Sequence, residues 1–365
     1  MKINRKDFVK VLKNVMPSVS TQDFIDMMKN FCLDGETIFG YNDSMSIRLD
    51  FETGLEIAVP AESLLKIVDS YKSEEAEIYA EEDIHKFNIK CGRSKLSLPC
   101  LYKDSFIFSM PEDKNDVSIP INDKLIDGIK KCLISVGGEE IHTSHMGVTL
   151  IINKQVVSLY STDNDTISRY SFKYSELDIN YKKSVVLPKD FCVQLLNLCQ
   201  SDSTELVLYD DYVGAYDESL CKDSIFLFSK LLYTGKVEKF EEIFNRVVPK
   251  KPSKSLLIPI GESFKTAIDR SLIVLGGTPN KACNVSLIEN RIEFSTVTAL
   301  GEVEDKVTFK DRNFKRNKKI ISADYVARAI KVCSYIYFGE EALAFFDGSA
   351  GFVHVVAYCS ATNKE

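Results

Sequence analysis

Two stretches, NDKLIDGIKKCLISVGG (122–138) and GESFKTAIDRSLIVLGG (261–277), decide the fold, because they are the same helix written twice. Leu125, Ile126, Ile129 and Leu133 line one face of the first, and Phe264, Ala267, Ile268 and Leu272 do so in the second. That i, i+3, i+4 spacing is the mark of an amphipathic helix. Each copy stops at a glycine pair, where a left-handed cap is expected because glycine adopts positive φ without strain. A third copy opens the chain: in RKDFVKVLKNVMP, Phe8, Val11, Leu12 and Val15 share a face and Pro17 ends the run.

The repetition extends outward from these helices. VPAESLLKIVDSY (59–71), LPKDFCVQLLNLC (187–199) and ISADYVARAIKVC (321–333) each carry an apolar stripe. Pro60 and Pro188 stand at helix starts, where a missing amide donor costs nothing. Ahead of each lies a strand, turn and strand: TIFGYNDSMSIRLDF, VVSLYSTDNDTISRYSF and RIEFSTVTALGEVEDKVTF. Behind each comes another alternating pair, in AEIYAEEDIHKFNIKCG, TELVLYDDYVGAYDES and ALAFFDGSAGFVHVVAY. A unit of roughly 120 residues, helix, hairpin, helix, hairpin, is therefore expected three times. The fold class is α+β, with two helices per repeat packed on antiparallel sheet. The expected domains are 1–115, 116–250 and 251–365, joined at MPEDKNDVS (110–118) and PKKPSKS (249–255). Their proline and charge content reads as linker.

Composition bounds the function. The 365 residues are 45% apolar and 27% charged, as in a soluble globular protein. No apolar run is long enough to span a bilayer, and MKINRKDFVK lacks the apolar core of a signal peptide. A cytoplasmic protein with no membrane partner is expected. The ten cysteines are scattered without a CxxC pair, so zinc and dithiol chemistry lack their spacing and buried thiols acting as small hydrophobes are expected. Enzyme readings find little support. His142 and His145 make an HxxH, expected to be surface or DNA-proximal polar residues rather than metal ligands. Asp163 and Asp165 make a DxD, but no calcium-loop spacing follows and both residues are favoured turn formers. Glycine-rich phosphate loops and nucleophile elbows are absent, so no catalytic residue, metal or cofactor is expected.

The net charge is −7, so a polyanion partner requires that the basic residues be gathered in one place. They are gathered on the helices. Lys6, Lys10 and Lys13 form a stripe on the first, and Lys66, Lys72, Lys124, Lys130, Lys131, Lys189, Lys265, Arg270, Arg328 and Lys331 supply the other five. Asp and Glu concentrate instead in strand-turn segments such as SEEAEIYAEED. Contacts from such a set would go to phosphate and carry no base readout.

The order of repeats, the closing segment AEEDIHKFNIKCGRSKLSLPCL, the pairing of YSTDNDTISRYSF with VVLPKDF, and FNRVVPKKPSKSLLIPI together resemble the bacterial and phage DNA polymerase sliding clamp, the beta subunit of the replicative polymerase. The resemblance covers essentially the whole chain. It implies a head-to-tail homodimer closed into a ring, with helices lining a hole that encircles duplex DNA and sheet on the outside. It also implies a processivity factor that tethers the polymerase and clamp loader through short linear peptides and hydrolyses nothing.

Carried over residue by residue, the partner-peptide groove of such clamps would use Thr162, Asn164, Asp165, Thr166, Ile167, Arg246, Val247, Ser322 and Tyr325, with Ala282 and the tail residues Val355, Val356 and Ala357. The chain departs from the family here. The hairpin tip lacks the usual glycine, basic pair and leucine; Glu242 stands for a proline, Ala282 for an aromatic, and AYCSATNKE for a Met/Pro-rich tail. An altered peptide specificity follows, as suits a phage protein serving its own polymerase; the lysine-rich, arginine-poor composition also points to an AT-rich genome. The dimer interface implied by the resemblance joins Leu96 and Leu98 to Leu272, Ile273 and Val274. The competing reading is a monomeric, clamp-derived adaptor that binds proteins without encircling DNA.

Overall fold

Helix starts and strand pairings follow the repeat closely. The computed structural model describes residues 1–20, 25–106, 108, 117–138, 145–175, 182–199, 203–222, 224–232, 240–248, 256–276, 278, 281–310, 312, 314–349 and 351–359. His142, the 249–255 segment and most of 110–118 lie outside them. The helices are α1 (Arg5–Val15), α2 (Ala61–Ser70), α3 (Asp123–Cys132), α4 (Lys189–Leu198), α5 (Phe240–Val247), α6 (Glu262–Leu275) and α7 (Ala323–Ala329). Six are the repeated helices read from the sequence; α5 is an addition. None of the described helices is long and apolar enough to cross a membrane.

The chain forms two compact units, residues 1–126 with 187–232, and 127–186 with 233–365. In the first, a nine-stranded sheet runs in the order 117–120, 205–208, 212–216, 225–230, 45–50, 37–41, 30–34, 56–60, 101–102. A four-stranded sheet runs 2–4, 75–81, 86–91, 94–99. α1 opens on Asn4, whose side chain accepts from the amides of Lys6 and Asp7 at 2.9 and 3.3 Å, satisfying donors that a helix start leaves orphaned. Its apolar face, Phe8, Leu12 and Val15, is fully buried against α2 and the strands of the first hairpin. Truncating a buried phenylalanine of this kind costs about 3–5 kcal/mol.

In the second unit an eight-stranded sheet runs 182–188, 147–153, 156–162, 166–173, 352–357, 342–346, 335–338, 258–259. A four-stranded sheet runs 301–308, 291–298, 282–289, 314–322. α6 and α7 pack together, and α6 covers strands 291–298 and 301–308. Within each unit, strands of neighbouring repeats join: Ile47 pairs with Leu227, and Ile167 with Val355.

Two local expectations are corrected. α3 does not run to Gly137–Gly138 but tightens into a 3-10 turn at Leu133–Ser135, and neither glycine has positive φ. The cap appears only in the other copy, where Gly276 closes α6 at φ 34°. His145 is 3% exposed, not a surface residue, and its carbonyl accepts from the Gly137 amide at 2.8 Å. None of the ten cysteines forms a disulfide, and eight are buried.

Candidate protein- and DNA-binding surfaces

The turn between strands 156–162 and 166–173 is built by its own side chains. Asp163 accepts from the Thr166 amide at 2.7 Å and from the Thr166 hydroxyl at 2.8 Å, and the Thr162 hydroxyl donates to the Thr166 carbonyl at 2.7 Å. Asn164 takes φ 73°, a conformation that asparagine tolerates. Burial lifts the Asp163 carboxyl above its ordinary range against the lowering pull of the Thr166 bonds. Asp165 turns the other way and accepts from the Tyr325 hydroxyl at 3.0 Å. Burial, then the charges of Asp163 and Asp165, push the Tyr325 phenol up to about 12. The DxD pair is thus divided between a turn and a tyrosine, and no cluster of three metal-ligating side chains occurs among the described residues.

Beneath the turn, Thr166 and Ile167 pair with Val356 and Val355, and the Ala357 amide donates to the Asp165 carbonyl at 2.9 Å. Ile167 and Val355 belong to one apolar cluster with Tyr160, Phe240, Phe244 and Val248, against which Val247 packs. Tyr160 stacks on Phe240 at 5.0 Å and its hydroxyl donates to Glu241. Arg246 stays 70% exposed beside Glu341, 3.1 Å away. Ser322 caps α7 by accepting from the Tyr325 amide at 3.5 Å, and Ala282 joins this group only through its strand pairing with Ser322. The expected groove residues therefore converge, with Ala282 the most peripheral. Phe240 and Phe244 escaped the sequence reading, although their i, i+4 spacing followed by Val247 and Val248 is a helical signal.

A buried polar chain supports the turn from behind. Thr166 and Ser135 hydroxyls lie 3.0 Å apart, Ser135 and Ser168 2.8 Å, and Ser168 lies 2.9 Å from His354 Nδ1. Burial, aided by the Arg328 charge, drives the His354 pKa down to about 3, so the ring is neutral. Nothing in the local sequence marks these four residues, which come from three elements: Thr166 and Ser168 from one strand, Ser135 from the 3-10 turn after α3 and His354 from strand 352–357.

One sheet edge and one helix end carry the expected interface residues. Leu96 and Leu98 are half-buried on Ser94–Pro99, the edge strand of its sheet in the first unit. In the second unit Leu272 and Val274 are half-buried, while Ile273 is 76% exposed at the end of α6. Val297 and Leu300, at 66% and 74%, extend this apolar patch, and the Thr298 hydroxyl ties their turn to the Val274 carbonyl at 3.0 Å. Sequence reading missed both: Val297 reads as one more strand residue and Leu300 as a turn residue, and no period marks either as an exposed apolar side chain.

The basic residues divide into three groups. Lys10, Lys72, Lys124, Lys130, Lys189 and Lys331 are exposed and make no ion pair among the described residues; Lys72 and Lys331, expected on helices, instead follow the ends of α2 and α7, which stop at Ser70 and Ala329. Lys6, Lys13, Lys66, Lys265, Arg270 and Arg328 each pair with a nearby carboxylate, as with Lys13–Asp69 at 2.8 Å and Arg270–Asp305 at 2.7 Å. Exposed pairs of this kind exchange readily with solvent. Lys131 departs from the expected solvent-facing stripe. It is 16% exposed, its ammonium lies 2.6 Å from Asp127 and 2.5 Å from Asp347, and the Tyr170 and Phe352 rings lie 5.4 and 5.6 Å away. Burial alone would lower its pKa; the two carboxylates more than offset this.

No protein-family model matches the sequence, and a comparison with curated proteins gives no match either. Solved structures do match. A DNA polymerase III beta-subunit sliding clamp from Pseudomonas aeruginosa, bound to griselimycin, superposes with a TM-score of 0.84 at 18% identity, covering 99% of each chain. The DNA polymerase sliding clamp of Bacillus subtilis gives 0.82 at 17% identity over 98% of each. The DNA polymerase III beta subunit of Thermotoga maritima gives 0.81 at 12% identity over 98% of each. From one end to the other, the chain has the fold of the bacterial DNA polymerase III beta-subunit sliding clamps.

Proposed function

We propose that this chain is a DNA sliding clamp: a homodimeric ring that encircles duplex DNA without reading its sequence and tethers a polymerase and other DNA-processing proteins. The observation that carries this reading is the end-to-end match of its fold to beta-subunit clamps, 99% of this chain on 99% of that one. Domains 1–115, 116–250 and 251–365 would be its three clamp units. The protein would hydrolyse nothing and need no cofactor.

Ring closure would use the two sheet edges. Strand Ser94–Pro99 presents Leu96 and Leu98 beside the exposed cations Arg93 and Lys95, and strand Gly301–Thr308 presents the exposed Glu302 and Glu304 beside Ile273 and Leu300. An apolar strip flanked by opposite charges on two unpaired edges favours antiparallel pairing between chains, and such pairing removes two aggregation-prone edges. The exposed lysines of the helices would meet phosphates in the hole, so binding depends on salt and tolerates any sequence. Partner peptides would enter the groove beside Asp165, Tyr325 and Arg246. Its altered tip supports service to a dedicated polymerase, as in a phage replicating in its host's cytoplasm.

The test is topological. Protein loaded on circular DNA stays bound and is lost once the circle is cut; equal retention on circular and linear DNA contradicts encirclement.

A further inference from the structure

In the first unit, a solvent-open cavity of about 160 Å3 lies beside the turn Asn42–Ser44, walled by Met28, Tyr41, Met45, Phe108 and Phe228, with Lys230 on its rim. Its place in the fold repeats that of the groove in the second unit, with three matching contacts. The Met45 amide donates to the Asn42 side chain at 2.9 Å, as the Thr166 amide does to Asp163 at 2.7 Å. The Lys230 amide donates to the Ser44 carbonyl at 3.0 Å, as the Ala357 amide does to the Asp165 carbonyl at 2.9 Å. Ser46 pairs with Phe228 where Ile167 pairs with Val355. At this shared position the second unit fills its apolar space with Phe240 and Phe244 from α5. The first unit packs Phe106 and Phe108 against Phe39 and Tyr41 there, and among the described residues a cavity stays open beside Phe108, which stacks on Tyr41 at 5.0 Å.

We infer that this cavity is a second docking site, taking a short peptide of another protein that inserts one aromatic or leucine side chain and sets a carboxylate on Lys230. The volume is that of a cavity able to hold one benzene-sized group. Two methionines in the wall let it adapt to ring or branched chain. The rim argues for a peptide over a fatty acid or other simple anion. Lys230 and Asp43 are both exposed, and neither has an ion-pair partner among the described residues. A cation beside an anion repels a purely anionic ligand but suits a peptide, whose side-chain carboxylate meets Lys230 while its backbone amides donate to Asp43. The inference does not require a ring or DNA.

The test uses the full chain labelled with 13C at the methionine methyls, whose signals are assigned through the volume-conserving variants Met28→Leu and Met45→Leu. The probe is acetyl-Asp-Leu-Phe-amide. Its addition should shift the Met28 and Met45 methyls saturably, with a Kd on the order of 1 mM, as expected for one buried side chain. Acetyl-Asn-Leu-Phe-amide should bind about threefold more weakly, the scale of one exposed ion pair, and Lys230→Gln should abolish that difference. Acetyl-Asp-Ala-Ala-amide should leave both methyls unmoved. Shifts confined to other methionines, absence of saturation, or equal binding of the Asp and Asn peptides overturns the inference. Because the second-unit groove contains no methionine, binding there does not mimic the signal.

Discussion

The Tyr325 hydroxyl lies 3.0 Å from the Asp165 carboxylate, fastening the first turn of α7 to a hairpin turn far away in sequence. This bond fixes one rim of the candidate groove, and Arg246, exposed beside Glu341, stands near the apolar floor made by Ile167, Val247 and Val355. Tyrosine and arginine are among the side chains enriched at binding hot spots. Replacing Tyr325 or Arg246 by alanine should therefore weaken polymerase stimulation, raising the half-saturating clamp concentration about tenfold. Sedimentation should show the proposed dimer intact, since neither residue lies on the proposed ring-closing edges. Unchanged stimulation by both variants places the groove elsewhere.

Lys131 and the exposed lysines should behave oppositely. Lys131→Met leaves Asp347, whose side chain is 8% exposed, without its cation, a loss on the order of 3 kcal/mol of folding stability measured by urea unfolding. Lys10→Ala and Lys189→Ala should leave stability within about 0.5 kcal/mol while lowering the salt slope of DNA binding by about 0.9 for each phosphate contact removed. A stable Lys131→Met protein contradicts its structural role.

Acid should find His354. Its folded pKa of about 3 lies below the ordinary 6.5, so on acidification the unfolded chain takes a proton that the folded chain refuses. The stability this group contributes is complete above pH 6.5 and drains away as pH falls toward 3. The slope is at most about 1.4 kcal/mol per pH unit. His354→Gln should flatten the stability curve of the protein by that amount across the window. Parallel curves for both proteins contradict a buried neutral imidazole.

Ile273, Val297 and Leu300 are large apolar side chains left largely in water. Ile273→Asp or Leu300→Asp should turn the proposed dimer into a well-folded monomer, seen as a halved mass with unchanged thermal melting. Persistence of the dimer in both variants moves the interface off this edge.

Much of the fold was legible because it is written three times: stripes such as Phe8–Leu12–Val15 and Phe264–Ala267–Ile268 declare helices by period alone. Features set by tertiary partners were not. Lys131 reads as one more surface lysine until Asp347 and the Phe352 ring arrive from the far end of the chain. His145 reads as polar surface, yet packing buries it. The Thr166–Ser135–Ser168–His354 chain draws on three elements and leaves no local pattern. α5 was missed for a different reason, since its apolar spacing was present but stood between a charged run and a proline-rich joint. In the candidate groove, Asp165 and Tyr325 were identified individually; their bond became visible only in three dimensions.

The central claim is a closed ring of two chains around DNA. Single-particle imaging of the protein at micromolar concentration tests it most directly. Particles of two chains joined at both ends, with a central hole wide enough for a B-form duplex, are expected. Open, single-chain arcs at every concentration, with no joined ends, would contradict it.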